Sequence, residues 1–285
     1  MIKKLKNLFK KYEIDGYIVP KNDEYFNEYV NSSKDILRFI TNFSGSAGFA
    51  LILKNKNYLF VDGRYTIQAR NQSGKKFKVI TIPNKFPKDV LRQSKEIVLG
   101  FDPKLHTDRQ LSFLFKRKNV ILKPIKQNLV EMVWPNKPKD LIKPFYTISE
   151  KNAGAVSQRK IEQVKKVLFK NKADYLLVTA PENVAWVLNI RGHDTLYSPV
   201  PNARLLIGRK GELKIFTNIK KLKTLKNIKA NVIDEKLTGK ILGNLYGKKI
   251  LLDSLSCSLF FKNLLVKKNK IVEKIDPIHF LKSIK

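Results

Sequence analysis

What most constrains this chain is a pattern that runs through it twice in one order. A segment with apolar Ile2, Leu5, Leu8 and Phe9 on one helical face, lysines between them, leads into Ile14-Asp15-Gly16-Tyr17-Ile18-Val19, a short apolar run of the kind that forms a buried strand. A second helical segment over residues 155–171 leads into Ala173-Asp174-Tyr175-Leu176-Leu177-Val178. In the first half Asn22-Asp23-Glu24 opens a short helix over residues 24–29, the turn Asn42-Phe43-Ser44-Gly45 follows, and strands over 48–53 and 58–61 form a hairpin. In the second half Pro181-Glu182-Asn183 precedes the short helix, Asn189-Ile190-Arg191-Gly192 is the turn, and the hairpin strands are 203–207 and 213–217. Any two α/β units share some of this. Recurrence of helix, strand, helix, Asn-x-x-Gly turn and hairpin in one order predicts two related units in tandem.

The first half also reads as a helix over 64–71 behind Asp62, strands over 78–82, 97–101 and 120–124, and a helix over 108–116. Strands alternating with helices make the fold class α/β. The stretch from Val133 to Pro144 carries three prolines, which remove backbone donors and fix φ, so it predicts an extended connector. The expected division is a first domain over 1–132, a proline-rich connector over 133–150 and a second domain over 151–285.

The chain carries 57 basic and 24 acidic residues, a formal net charge of +33. Such an excess raises nucleic acid or an anionic membrane as a partner. Only ten of the basic residues are arginine, however, and the lysines are scattered along the chain, which fits a solvated lysine-rich surface better than a nucleic-acid groove. The longest apolar runs are far shorter than the ~20 residues of a membrane span. Lysines at positions 3, 4, 6, 10 and 11 interrupt any signal-peptide core. With a single cysteine, Cys257, that has no partner for an internal disulfide, the expectation is a cytoplasmic protein with a buried structural thiol in an apolar helical segment.

Few residues offer chemistry. Ser44 and Ser46 in Phe43-Ser44-Gly45-Ser46-Ala47-Gly48 do not match a nucleophile elbow, and their glycines read as turn formers before a strand. No phosphate-binding loop is present. His106, His193 and His279 are far apart in sequence and belong to no metal-ligand motif, so no catalytic residue, metal ligand or cofactor is assigned to this chain. His193, beside Asp194 in Arg191-Gly192-His193-Asp194, reads first as plain surface and second as a ligand or proton carrier. In Asp62-Gly63-Arg64-Tyr65 the aspartate suits a helix cap and the glycine a special backbone, while Arg64 is the candidate for pairing with a carboxylate across an interface.

Taken together, Arg38-Phe39 through Gly48, Val61-Asp62-Gly63-Arg64-Tyr65 with Gln68-Ala69, Asn128-Leu129-Val130 with Val133-Trp134, and Glu182 through Gly192 with Asp194 resemble the three-domain Xaa-Pro aminopeptidases. The resemblance implies two creatinase N-terminal-like domains, each a mixed sheet flanked by helices. It implies that the C-terminal pita-bread catalytic domain is absent, the last residues Ile275 to Lys285 resembling the junction before it with a helix cut short. In that family the catalytic domain holds two metal ions, usually manganese, whose bound water attacks the bond before proline. None of those ligands carries over. What the resemblance leaves to this chain is non-catalytic work: oligomer contacts, docking to the missing catalytic domain, and shaping of the groove for proline-containing peptides by the long polar, proline-containing loop from Arg191 to Pro201, with Arg191, His193 and Asp194 as its candidate residues. The alternatives are a stand-alone binding or scaffold module and, more remotely, a basic nucleic-acid-binding protein.

Overall fold

The computed structural model describes all residues except 141, 224, 226–229 and 285. It divides into two compact units, Met1–Asp140 and Leu141–Lys285. In the first, α1 (Ile2–Lys11) buries Leu5 and Phe9 and turns most of its lysines to solvent. There follow β1 (Gly16–Pro20), α2 (Ile36–Thr41), β2 (Gly48–Leu53), β3 (Asn57–Asp62), α3 (Thr66–Ser73), β4 (Lys78–Ile82), α4 (Pro87–Val90), β5 (Ile97–Phe101), α5 (Asp108–Phe115), β6 (Val120–Pro124) and α6 (Leu129–Met132). The six strands make one sheet in the order β4-β3-β2-β1-β5-β6. β1–β2 and β2–β3 are antiparallel, whereas β3–β4, β1–β5 and β5–β6 are parallel. Central β1 is buried along its whole length, which is why its sequence is continuously apolar.

The second unit contains β7 (Tyr146–Thr147), α7 (Glu150–Ala153), α8 (Ser157–Lys170), β8 (Tyr175–Val178), α9 (Pro181–Leu188), β9 (Ile190–Arg191), β10 (Arg204–Gly208), β11 (Leu213–Thr217), β12 (Asn231–Asp234), α10 (Thr238–Gly243), β13 (Lys249–Leu252), α11 (Leu259–Val266), β14 (Lys270–Glu273) and α12 (Pro277–Ser283). Its main sheet runs β12-β11-β10-β8-β13-β14 and repeats, pair for pair, the strand directions of the first. Successive side chains of β8 point to opposite faces. Leu176 and Val178 join a core with Val164 and Leu168 of α8, while Leu177 joins Leu242, Phe261 and Leu265 on the other side.

The repetition extends to individual hydrogen bonds. Asp15, just before β1, accepts the Val98 N–H at 2.9 Å and the Lys54 ammonium at 2.5 Å. Asp174, just before β8, accepts the Lys249 N–H at 2.9 Å and an Arg209 guanidinium N–H at 3.3 Å. In both places one carboxylate joins the central strand to the parallel strand on one side and to a cation beyond the antiparallel strand on the other. Burial opposes the Asp15 charge, but the Lys54 and Val98 hydrogen bonds hold its carboxyl below the usual range. A second repeat lies at the far end of β5 and β13. Asp102 accepts from Lys104 N and Asn128 Nδ2, and Asp253 accepts from Leu255 N and Asp276 N. Asn128 caps α6, and Asp276 caps α12.

The mixed sheets flanked by helices agree with the sequence, and several local expectations do not. Residues 24–29 form turns instead of a helix, because the buried Asp23 carboxylate captures the N–H groups of Tyr25 and Asn27 and Phe26 takes a positive φ of 60°. Gly45 and Gly48 do not adopt positive φ. They are small because their neighbours are close: a Cβ on Gly45 would enter the Phe43 ring and lie 2.9 Å from Tyr65, and one on Gly48 would lie 2.8 Å from Phe60 O. Gly63 has neither constraint. Cys257 is buried as expected, but in the turn before α11, with its N–H bonded to Asp253 O at 2.8 Å. Within the proline-rich stretch, Tyr146 and Thr147 are strand residues.

Candidate functional site

β7 pairs antiparallel with β9, Tyr146 opposite Arg191 and Thr147 opposite Ile190. The chain leaves this ribbon through Gly192 and His193 into a loop that ends at Pro201. Arg191 turns back into its own unit: Nη1 donates to Ala185 O at 3.2 Å and to Ile190 O at 2.9 Å. Lys160 reaches the same helix end, donating to Trp186 O at 3.0 Å and Asn189 Oδ1 at 2.6 Å, its ammonium 4.5 Å from the Trp186 ring centre. Two cations therefore satisfy the open carbonyls at the C-terminus of α9 and face the negative end of its dipole. Burial, and after it the Arg191 charge, lowers the pKa of Lys160.

Gly192 packs where no side chain fits, since a Cβ would lie 2.8 Å from Pro201 Cα and 3.0 Å from the buried Phe145 ring. Asp194 is 7% exposed. Its Oδ2 accepts the Asn202 N–H at 2.6 Å and its Oδ1 lies 2.7 Å from Lys221 Nζ, so it anchors the loop at both ends instead of facing solvent. Thr195 pairs with Ser198 across the tip, its hydroxyl donating to Ser198 O at 2.9 Å. Tyr197 takes a φ of 63° there, and Leu196 and Tyr197 stand 56% and 89% exposed. His193 is exposed and stacks on Tyr146 at 5.3 Å, forming one wall of a shallow cleft with Lys143, Pro144 and Phe145. The arrangement is a rigidly clamped loop with an aromatic and aliphatic tip.

Sequence reasoning singled out Arg191, His193 and Asp194, and the structure assigns them different tasks. Arg191 caps the end of α9, Asp194 holds the loop, and His193 remains on the surface. Lys221 was not singled out, because a lysine in a lysine-rich chain carries no signal of its own. Leu196 and Tyr197 were passed over for lack of titratable chemistry, although two bulky side chains in a polar, proline-bounded loop were the available sign.

Arg64 is exposed and already paired with Asp62, at 3.2 Å from Nε to each carboxylate oxygen and 2.7 Å from Nη2 to Oδ2. These hydrogen bonds hold the Asp62 carboxyl below its usual range. Asp62 also accepts the Arg64 N–H, the cap expected of it.

A metal centre does not fit these residues: among the described residues no three His, Cys, Asp or Glu stand together in a way that holds an ion. His106 is fully buried, with Nδ1 3.2 Å from Gln110 Oε1 and no partner for Nε2 among the described residues. Burial pushes its pKa down to about 4. Burial pushes the Cys257 thiol up to about 12, which disfavours the thiolate form that a nucleophile needs. No described helix is long and apolar enough to cross a membrane.

Comparison with known proteins places this geometry. Residues 1–132 and residues 136–285 each match the profile of a Creatinase/Prolidase N-terminal domain. The chain is 33% identical over 231 residues to a probable Xaa-Pro aminopeptidase P of Coprinopsis cinerea, covering 76% of this chain and 36% of the relative. It is 31% identical over 219 residues to Xaa-Pro aminopeptidase app-1 of Caenorhabditis elegans, covering 73% and 35%. The chain thus spans about a third of the length of the curated relatives it matches. The crystal structure of an X-prolyl aminopeptidase from Caenorhabditis elegans, described as a cytosolic enzyme with a di-nuclear active site, superposes over 100% of this chain and 51% of its own, with a TM-score of 0.90 and 23% identity. The chain belongs to the creatinase/prolidase N-terminal domain family, as two such domains in tandem of the kind that Xaa-Pro aminopeptidases carry.

Proposed function

We propose that this chain is the non-catalytic portion of a cytoplasmic, metal-dependent Xaa-Pro aminopeptidase, the enzyme that releases an N-terminal residue preceding proline. The metal ions, manganese in this reading, would be bound by a catalytic domain outside these residues. The two units here supply a scaffold, oligomer contacts and one wall of the substrate groove. The observation that carries the reading is the match of the whole tandem fold to an X-prolyl aminopeptidase.

The loop tip at Leu196 and Tyr197, with His193 behind it, is the part that faces peptide and limits access to free N-termini. Its support is geometric: the Asp194 clamp holds exposed apolar side chains in a fixed place. In the intact enzyme, replacing His193, Leu196 and Tyr197 by Ala should alter preference among X-Pro peptides of different length while Asp194 keeps the loop folded. Unchanged kcat/KM across a length series sinks this role. Turnover of a short X-Pro peptide by this chain alone with added manganese sinks the non-catalytic assignment.

Arg64 and the neighbouring Ile67, 74% exposed on α3, belong to the proposed oligomer contact. Arg64→Glu should lower the sedimentation mass of the assembled enzyme; an unchanged mass removes the residue from the interface.

A further inference from the structure

Along edge strand β4 of the first unit runs a groove of about 960 Å³ whose lining is mainly cationic and amide. Lys78, Lys85 and Arg92 line it together with the side-chain amides of Asn84 and Gln93. None of these five has a side-chain hydrogen-bond or ion-pair partner among the described residues. Some cations elsewhere have acidic partners, as Lys21 has Asp35, Lys34 has Glu24 and Lys221 has Asp194, while many surface lysines have none among the described residues. The one acid in the groove, Asp89, is engaged at the start of α4, where Oδ2 accepts the Phe86 N–H at 2.9 Å.

Phe86, next to the lining residue Lys85 in sequence, belongs to an aromatic pair. Phe86 and Phe113 meet edge to face at 5.3 Å, and Lys88 Nζ lies 5.4 Å and 5.2 Å from the two ring centres. Phe113 is 58% exposed, so its ring is open to a ligand. Unpaired cations spaced along a groove, next to an exposed ring, are the parts with which proteins hold single-stranded nucleic acid: phosphates on the cations, a base on the ring.

We propose that this groove binds single-stranded nucleic acid, independently of the peptidase reading. The overall +33 charge would attract a polyanion to any face, so the test separates the groove from the surface at large. The probes are fluorescein-labelled oligouridylate and oligoadenylate dodecamers, titrated with the chain by anisotropy across a salt series. Neutralising two groove cations (Lys85→Gln with Arg92→Gln) should weaken binding at least about tenfold and reduce the log–log salt slope by about 1.4, the value for two phosphate contacts on a single strand. Neutralising two exposed lysines on α1 (Lys3→Gln with Lys4→Gln) should leave affinity within about twofold. Phe113→Ala should cost roughly fivefold or more, the loss of one stacked base. Equal losses in the groove and α1 variants, or no saturable binding, overturn the proposal. Full affinity in Phe113→Ala, with loss in the groove variant and equal competition by inorganic polyphosphate, overturns the assignment to nucleic acid.

Discussion

Lys221 Nζ lies 2.7 Å from Asp194 Oδ1 with both side chains nearly out of solvent, and this pair fixes the loop above it. Asp194→Ala would strand an ammonium in a covered site. Breaking a buried pair from one side costs roughly 3 to 5 kcal/mol. We expect a lower urea midpoint with an unchanged m-value; a loss below about 1 kcal/mol would mean that water reaches Lys221 as readily as Asp194 does.

Lys160 is 2% exposed and caps the end of α9 through Trp186 O and Asn189 Oδ1. Lys160→Met preserves the stem but removes the donors. The expected cost is about 1 to 3 kcal/mol, the penalty of unsatisfied buried acceptors. Hydrogen exchange should rise first in α9 and in Ile190–Arg191; uniform protection would place the capping energy elsewhere.

His106 makes the first unit sensitive to acid. Its folded pKa is about 4, against about 6.5 for an unperturbed histidine. As pH falls below 6.5 the unfolded chain takes up the proton while the folded chain does not, so stability is lost from pH 6.5 down to about 4. The full effect is roughly 3 kcal/mol. Buried Asp23 and Asp102, whose carboxyls burial raises, act in the opposite direction and remain in both proteins compared. His106→Phe should therefore show a smaller drop in urea-unfolding free energy between pH 7 and pH 4.5 than the parent. An identical drop would assign acid sensitivity to other groups.

The glycines of the first unit should respond unequally. Gly63→Ala meets open space and is expected to change stability by less than about 0.5 kcal/mol. Gly45→Ala drives a methyl into Phe43 and Tyr65, at an expected cost of about 1 to 3 kcal/mol. Thermal unfolding of the two variants side by side decides the matter.

Long periodic elements were legible in the sequence: α1, α8 and the hairpins carry enough residues for their pattern to show. The four-residue strands β12, β13 and β14 do not, and α4 and α6 are single turns held by Asp89 and Asn128. Asp15 and Asp174 lie beside the repeated apolar runs, but the strands and cations they join are 35 to 83 residues away in sequence, so their role could not be read locally. The loop could be bounded by its prolines, yet the neighbours His193 and Asp194 have opposite fates. Their partners, Tyr146 and Lys221, come from other parts of the fold, and no local pattern encodes that choice.

Because Asp174 brackets β8 as Asp15 brackets β1, the chain contains its own reference state. An exchange made at one of these aspartates has a matched position in the other half, with the same strand directions around it. Where the paired exchanges cost the same, the residue serves folding alone; where they diverge, the excess measures what one half does that its twin does not.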